Sequence, residues 1–235
     1  MKKIILNVLA LCTIAFCMSS CEKEEMTDSR PTYYPVFSIV GDEFQIVPVG
    51  SSFKDQGCKA TLNGEDYSSH IEAYGADDVD PNSPGLYTIT YVAVNPDGYA
   101  SECYRTVAVC DPSITTDISG TYTIQEPSQR FYNGNMSPYK AGLNVTFSEV
   151  APGLYYVSDF FAGWYDQGAG YGSNYAMKGY MQLLADNTLE AISASVAGWG
   201  DSYDDFRDGK YDPETGIISW NVDYAGIMTF SVFVK

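Results

Sequence analysis

The pattern of apolar and polar residues divides the chain into three parts. An apolar run extends from Ile4 to Met18, and a polar stretch without periodicity follows as far as Pro35. Beyond Pro35, apolar and polar residues alternate in short runs separated by Gly, Pro, Asn and Asp. Alternation with a period of two is typical of β-strands that bury one face, and no stretch keeps the longer period of a helix. The pattern therefore predicts an all-β protein.

Residues 36–111 contain a first group of strand-like runs. They are Phe44–Val49, Cys58–Leu62, Gly85–Val94 and Tyr104–Val109. Turn residues separate them, for example Asn63-Gly64 and Asn95-Pro96-Asp97-Gly98, which suit reversals of chain direction. Short strands at this spacing predict one small β-sandwich.

Residues 117–235 form a second group, which follows a short linker at residues 112–116. The predicted strands are Gly120–Gln125, Leu143–Val150, Leu154–Phe161, Tyr175–Leu184, Thr188–Val196, Phe206–Tyr211, Gly216–Tyr224 and Met228–Val234. Turn signals such as Asp186-Asn187 connect them. We therefore expect an antiparallel β-domain of about eight strands, either barrel-like or a sandwich. Barrel-like closure is favoured because an up-and-down strand order leaves no exposed edge.

The first part of the chain has the properties of a targeting signal. Lys2 and Lys3 precede the apolar run, which is shorter than the roughly 20 residues of a membrane span, so residues 1–20 are predicted to be a secretory signal peptide. Met18-Ser19-Ser20-Cys21 resembles the relaxed lipobox of Bacteroidota lipoproteins, which implies that Cys21 is acylated. The alternative is an ordinary signal peptide followed by a coincidental cysteine.

The residues after Cys21 predict a surface location. Glu22-Lys23-Glu24-Glu25 resembles the acidic export signal of the same phylum, which implies an outer-membrane lipoprotein that faces the cell exterior. The alternative is that these charges only solvate a tether. Residues 21–35 are polar and aperiodic, so we expect them to form a flexible tether.

Charge and histidine content exclude several function classes. The chain has 13 Lys and Arg against 30 Asp and Glu, with a net charge of −17. So few cations cannot form a large basic patch, so we expect no nucleic-acid partner and membrane attachment through the lipid anchor alone. His70 is the single histidine, which excludes a two-histidine metal site. We expect His70 to be an ordinary loop or partly buried residue.

Three cysteines remain beyond Cys21, namely Cys58, Cys103 and Cys110. In strand conformation, Cys103 shares a face with Val107 and Val109, and Cys58 lies on the apolar face of its own run. We therefore predict a Cys58–Cys103 disulfide, since export leads to an oxidising compartment. The alternative is three reduced, buried thiols.

The first β-region resembles a known family. Three segments are similar, in the same order, to the motifs of the bacterial Ig-like repeat of crystal toxins and surface proteins. They are Gly50-Ser51-Ser52-Phe53-Lys54-Asp55-Gln56-Gly57, Pro84-Gly85-Leu86-Tyr87-Thr88-Ile89-Thr90-Tyr91 and Arg105-Thr106-Val107-Ala108-Val109. Asp97-Gly98-Tyr99 departs from the loop that this family often has. The resemblance implies a spacer or platform without a site of its own.

Two Gly-rich aromatic connections in the second domain are the candidate recognition site. They span residues 160–175 and 197–205. Trp and Tyr offer flat apolar faces with polar tips, which suit the C–H faces and polar rims of sugar rings. The candidate ligand-binding residues are Trp164, Tyr165, Asp166, Tyr171, Trp199 and Asp201. The alternatives are that these aromatic residues cover the end of the domain or pack against the Ig-like module, or that they dock a partner protein.

The sequence predicts no metal site, cofactor or catalytic residue. The run from Asp204 to Asp208 lacks an oxygen ligand at its third position and has Thr215 at the twelfth, so it is a poor EF-hand loop. An irregular calcium site that uses Asp201, Asp204, Asp205 and Asp208 is the alternative to a solvated acidic loop. No pair of carboxylates is marked out for glycoside hydrolysis, so we expect a protein that is not an enzyme.

Taken together, the lipobox, the Ig-like module and the aromatic C-terminal domain resemble a family of Bacteroidota surface lipoproteins that accompany SusC/SusD-type uptake systems. The resemblance implies a SusC/SusD-type transporter complex as partner and a polysaccharide or other nutrient as ligand. It favours a non-catalytic binding subunit. A purely structural docking subunit is the first alternative, and a glycoside hydrolase that uses an Asp/Glu pair is the second.

Overall fold

The computed structural model describes residues 30–235. The predicted signal peptide, Cys21 and most of the predicted tether lie outside these residues. None of the helices found between residues 30 and 235 is long and apolar enough to cross a membrane.

The first domain is a sandwich of two small sheets, as predicted. Its strands are β1 (Val36–Ile39), β2 (Phe44–Pro48), β3 (Cys58–Leu62), β4 (Glu65–Asp66), β5 (Glu72–Tyr74), β6 (Gly85–Val94) and β7 (Ala100–Cys110). One sheet has the order β1-β3-β4 and the other β2-β7-β6-β5, with β2 parallel to β7. A short 3-10 helix covers Ser68–His70. The sequence pattern did not predict β1, β4 and β5, because they are short and largely exposed.

The motif residues of the Ig-like resemblance form a buried polar network. The Arg105 side chain is fully buried, and its Nε lies 3.2 Å from Asp55 Oδ1 and donates to the Tyr91 hydroxyl at 3.2 Å. The Tyr91 hydroxyl in turn donates to Asp55 at 2.7 Å, and burial raises the pKa of Tyr91 to about 12. The other guanidinium nitrogens donate to the backbone carbonyls of Val40, Asp42 and Gly57. Because the charge is both paired and hydrogen-bonded, the motif is structural.

Cys58 and Cys103 lie opposite each other between the two sheets of this domain. Their sulfur atoms are 3.7 Å apart, and both are free thiols in this structure. Burial raises the pKa of Cys103 to about 12. Cys110 points elsewhere and is buried. The structure therefore brings together the two cysteines that strand parity paired, and the disulfide itself stays a prediction.

The second domain is a sandwich of two five-stranded antiparallel sheets. Its strands are β8 (Gly120–Thr123), β9 (Gln129–Tyr132), β10 (Asn135–Pro138), β11 (Asn144–Ala151), β12 (Leu154–Val157), β13 (Met177–Leu183), β14 (Leu189–Val196), β15 (Asp205–Asp212), β16 (Ile217–Tyr224) and β17 (Met228–Val234). One sheet has the order β14-β13-β12-β11-β8 and the other β10-β9-β17-β16-β15.

The second domain differs from the expectation in strand number and in closure. The additional strands are the β9–β10 hairpin, whose residues are mostly exposed and which therefore lacks a clear apolar face. The two sheets pack face to face around one core and are joined by isolated bridges, Thr188 with Lys210 and Ile124 with Val234, rather than by continuous strand pairing. The chain crosses from one sheet to the other three times, before β9, before β11 and before β15, which divides the expected meander into two layers.

The two domains contact each other through a small apolar cluster. Ala108 and Cys110 of β7 pack against Ala151 and Leu154, which flank the turn between β11 and β12. This contact covers the outer face of the Ig-like sheet, which explains why Cys110 is buried. The β11–β12 turn is therefore at the end of the second sandwich that faces the Ig-like domain.

Candidate functional site

The two aromatic loops lie at the opposite end of the second sandwich. β12 begins at Leu154 in the interdomain cluster and runs away from it, and β13 returns to end at Leu183 beside Gly153. The loop between β12 and β13 and the loop between β14 and β15 must therefore lie at the far end, because the strands between them are antiparallel. The candidate site is thus remote from the Ig-like domain.

A buried carboxylate organises the base of the first loop. Asp159 is 1% exposed and accepts hydrogen bonds from the backbone N–H groups of Phe161 (2.9 Å), Gly163 (2.8 Å) and Met177 (2.8 Å). Burial raises the pKa of Asp159 to about 7, and the three backbone donors oppose that shift. These bonds hold the chain through a tight bend, in which Gly163 has a φ of 85° that suits glycine.

The loop continues as a single turn of π-helix, Trp164–Gly168, and is fixed to the domain core at several points. The indole Nε1 of the buried Trp220 donates to the Phe160 carbonyl at 2.9 Å, and the Tyr139 hydroxyl donates to the Phe161 carbonyl at 3.0 Å. Single π-turns are frequent at functional sites. The loop is therefore a preformed structure on which side chains are presented in defined positions.

An aromatic surface, formed by Tyr165, Tyr171, Tyr175 and Trp199, joins the two loops. The Trp199 ring lies 4.8 Å from that of Tyr165 and 5.0 Å from that of Tyr175, and Tyr165 stacks on Tyr171 at 6.0 Å. Trp199 is 41% exposed and Tyr171 is 57% exposed, although both rest on other rings. The structure thus brings three of the predicted aromatic residues together, with Trp199 and Tyr171 accessible and Tyr165 buried beneath them.

The remaining predicted residues have different surroundings. Asp201 is exposed, and its carboxylate accepts a hydrogen bond from the Tyr224 hydroxyl at 2.7 Å. Asp166 accepts a bond from the backbone N–H of Gln167, on the side of the loop near Asn144. Trp164 turns inward, with its ring 4.8 Å from that of Tyr139. Trp164 therefore covers the end of the sandwich core, which is one of the alternatives that the sequence left open.

Sequence reasoning missed two residues near this surface. Tyr175 is the first residue of a predicted strand, and Arg130 lies on the unpredicted strand β9. Arg130 is opposite Phe230 of β17, far away in sequence. A signal for the hairpin was present, since Asn133-Gly134 is the commonest two-residue hairpin turn and both residues have positive φ.

The acidic run has no metal-like arrangement in the structure. The Asp204 carboxylate accepts from the backbone N–H of Gly226, and the Asp208 carboxylate accepts from Asn221. In residues 30–235 no group of three or more His, Cys, Asp and Glu side chains is placed to hold a metal ion. His70 is exposed in the Ig-like domain and stacks on Tyr67 at 3.8 Å.

Comparisons with known proteins define the class of this protein. A family model described as a bacterial surface protein Ig-like domain matches residues 37–109, and a second model, described as a C-terminal domain, matches residues 111–235. The chain is therefore a two-domain protein with a bacterial surface Ig-like domain, which confirms the predicted fold class. It is 39% identical to the lipoprotein BT2262 from Bacteroides thetaiotaomicron over 86% of this chain and 100% of that chain, with a TM-score of 0.49. The chain belongs to the family of this Bacteroides lipoprotein.

Other solved structures are less similar. Two structures of ZmpB from Clostridium perfringens are each 19% identical to this chain. One contains CBM51-2 in complex with GlcNAc and INT domains, and the other contains the M60 catalytic domain with the CBM51-1 and CBM51-2 domains. The match to the first covers 52% of this chain and 29% of that chain, with a TM-score of 0.27. The match to the second covers 54% of this chain and 14% of that chain, with a TM-score of 0.29. Likeness at this level carries no functional argument. None of the curated proteins matches the chain.

Proposed function

We propose that this protein is a lipid-anchored surface protein that binds a nutrient polymer, in the first instance a glycan, as a non-catalytic subunit of a SusC/SusD-type outer-membrane uptake system. The observation that carries the proposal is the aromatic surface. Trp199 and Tyr171 are exposed and yet supported from beneath by other rings.

The chemistry of the aromatic surface favours a ring-shaped ligand with apolar faces. Trp and Tyr stack on such faces and use their polar tips for hydrogen bonds at the rim. Asp201 stands at the border of the surface, because its partner Tyr224 lies 6.0 Å from the Trp199 ring. Because the loop is fixed by Asp159 and Trp220, binding costs little ordering of the protein.

The position of the aromatic surface suits a protein held by a lipid at Cys21. Arg30 forms an ion pair with Asp97, in the turn that precedes β7, and the second domain follows the other end of β7 at Cys110. A strand of that length spans roughly 35 Å. The Ig-like domain thus separates the amino-terminal side of the chain from the second domain, whose far end bears the aromatic surface. An anchor at Cys21 would leave this surface pointing away from the membrane.

The non-catalytic part of the proposal rests on Asp201, whose carboxylate is already engaged in a hydrogen bond. A glycoside hydrolase needs two carboxyl groups about 5–10 Å apart on either side of the scissile bond. Asp201 already accepts a hydrogen bond from Tyr224, as a positioned binding group would. Release of sugar from a broad polysaccharide panel would contradict this part of the proposal.

Calorimetry with purified protein and a panel of oligosaccharides tests the binding proposal. We expect Trp199→Ala and Tyr171→Ala to weaken binding by roughly tenfold or more, as expected for central aromatic contacts. Tyr74→Ala is the matched control, because Tyr74 is 55% exposed on the Ig-like domain. The proposal fails if no glycan binds, or if Trp199→Ala binds as well as the unchanged protein.

The same aromatic residues are compatible with a second function, the docking of a transporter protein, because Trp and Tyr are common anchors at protein interfaces. A pull-down from detergent-solubilised outer membranes distinguishes the two functions. Loss of transporter recovery in Trp199→Ala, without any glycan binding by the unchanged protein, would support a purely structural docking subunit. Failure to recover a transporter with the unchanged protein would count against the uptake-system part of the proposal.

A further inference from the structure

Arg130 stands beside the aromatic surface in an unusual setting. Its guanidinium carbon lies 4.6 Å from the centre of the Trp164 ring and 5.3 Å from that of Tyr132. Stacking on a ring uses the face of the guanidinium group and leaves its N–H edge available for hydrogen bonds. Arg130 is thus held in place by contacts with two aromatic rings.

One hydrogen-bond donor of Arg130 has no partner within residues 30–235. Its Nε is buried without a hydrogen-bond partner, the one such buried side-chain atom in this part of the chain. The ion pairs formed by the described residues involve Arg30, Arg105 and Arg207 instead. Since acids outnumber bases by more than two to one in the whole chain, an arginine without a carboxylate partner is notable here.

Arg130 is also contiguous with the aromatic surface. The Trp164 ring beneath Arg130 lies 6.0 Å from the Phe230 ring, and the Phe230 ring lies 5.8 Å from that of Tyr165. Tyr165 contacts both Trp199 and Tyr171. Arg130 and the exposed rings are therefore linked by one continuous group of packed aromatic side chains.

From this arrangement we propose that the surface selects a glycan that carries a carboxylate, such as a uronic acid residue, with the carboxylate on Arg130 and a sugar ring against Tyr171 or Trp199. The inference rests on the proposed function and narrows its ligand class. A planar guanidinium matches a carboxylate with two parallel hydrogen bonds, and apolar neighbours strengthen such a bond. The other acids of the protein oppose this ligand weakly, because charges beyond about 8 Å are largely screened at physiological ionic strength.

An array of carboxylated and neutral oligosaccharides, followed by calorimetry with oligogalacturonate and its methyl ester, tests the inference. The ester keeps the sugar rings and removes the charge. We expect the array to favour carboxylated members and the acid to bind roughly ten- to hundred-fold more tightly than the ester, as for a hydrogen-bonded charge pair. Preference for neutral members, or equal affinity for acid and ester, would overturn the inference.

Substitutions at Arg130 provide an independent measurement. We expect Arg130→Gln to lose the ten- to hundred-fold preference, and Arg130→Lys, which keeps the charge without the planar fork, to retain part of it. Arg207→Gln is the matched control, since Arg207 is in the same domain and pairs with Asp223 instead. Thermal unfolding checks that each variant is folded. If Arg130→Gln does not fold, the ratio of acid to ester affinity of the unchanged protein decides the question.

The outcomes separate this inference from the proposed function. One outcome is that neutral glycans bind with an affinity that Trp199→Ala lowers, while Arg130→Gln leaves the ratio of acid to ester affinity unchanged. In that case the proposed function stands and the carboxylate inference falls. If acidic peptides bind and no glycan does, the ligand class is wrong in both proposals.

Discussion

The two domains contain two partly or fully buried arginines that are treated in opposite ways. Arg105 of the Ig-like domain has an acid, a phenol and three backbone carbonyls as partners. Arg130 of the second domain has aromatic rings around it and a buried Nε without a hydrogen-bond partner. A charge that is satisfied within the fold supports structure, whereas a charged group that keeps an unpartnered donor is a candidate contact for a ligand.

The same contrast separates the Ig-like domain from the far end of the second domain. The polar network of Arg105, Asp55 and Tyr91 links both sheets of the first sandwich with the chain between them. The aromatic surface instead keeps large rings partly in water, although the domain has a core in which they could be buried. Under the proposed function, the first domain is a support and recognition is concentrated in the second.

Substituting each arginine in turn is the most direct test of whether Arg105 and Arg130 have different structural roles. Arg105→Met should lower the free energy of unfolding by about 3–5 kcal/mol, because Asp55 is then left with an unpaired charge in a largely buried site. Arg130→Gln should cost about 1 kcal/mol or less, because it breaks no ion pair. Urea unfolding monitored by circular dichroism measures both values. Equal losses would show that the two arginines have the same structural role.

Oxidation should strengthen the first domain alone. A Cys58–Cys103 disulfide should raise its unfolding free energy by up to about 4 kcal/mol through restriction of the unfolded chain. Intact-mass analysis after treatment with oxidised glutathione should show the loss of two hydrogens, and Cys58→Ser should abolish that loss. A bond that involves Cys110 instead would show that the observed proximity of Cys58 and Cys103 does not determine pairing.

Asp159 allows a pH test of the second domain. Burial raises its pKa from 3.8 to about 7, so its contribution to stability is complete below the lower value and is lost as the pH rises through the higher one. Asp159→Asn should therefore cost about 1–3 kcal/mol at pH 5, because one backbone donor loses its acceptor. The deficit should shrink at pH 8. A deficit that is the same at both pH values would contradict the raised pKa.

The smallest effect on stability should come from the exposed tryptophan. Trp199→Ala should change the unfolding free energy by about 1 kcal/mol or less, although it is expected to impair binding. The buried Trp220 is the contrasting residue, and Trp220→Ala should cost about 3–5 kcal/mol. Differential scanning calorimetry of both variants makes the comparison. A large loss for Trp199→Ala would show that its ring contacts serve the fold and not a ligand.

The parts of the fold that alternation predicted are those in which one face is buried. Thus β6, β13 and β16 were found near their predicted positions, because apolar residues occupy every second site. The exposed hairpin β9–β10 was missed for the converse reason. The family motif predicted the Ig-like fold but not the network of Arg105, because hydrogen-bond partners distant in sequence leave no local pattern.

For the candidate site, the sequence predicted the loops but not the orientation of each side chain. Trp164 and Trp199 look equivalent in sequence, since both lie in Gly-rich aromatic segments. The structure directs Trp164 inward beneath Arg130 and leaves Trp199 outside, because the bend held by Asp159 sets the direction of the π-helix. Arg130 reaches the site through the pairing of β9 with β17, which no local signal in the sequence specifies.

The parallel pair β2–β7 has a mechanical consequence. The chain enters the Ig-like domain ahead of β1 and leaves it at the carboxyl end of β7. Tension between these points pulls the parallel strands β2 and β7 in opposite directions along their length, from the rung Phe44–Thr106 to the rung Pro48–Cys110. All the rungs are then loaded together in shear, so the domain resists extension much better than it would if the strands were peeled apart one rung at a time.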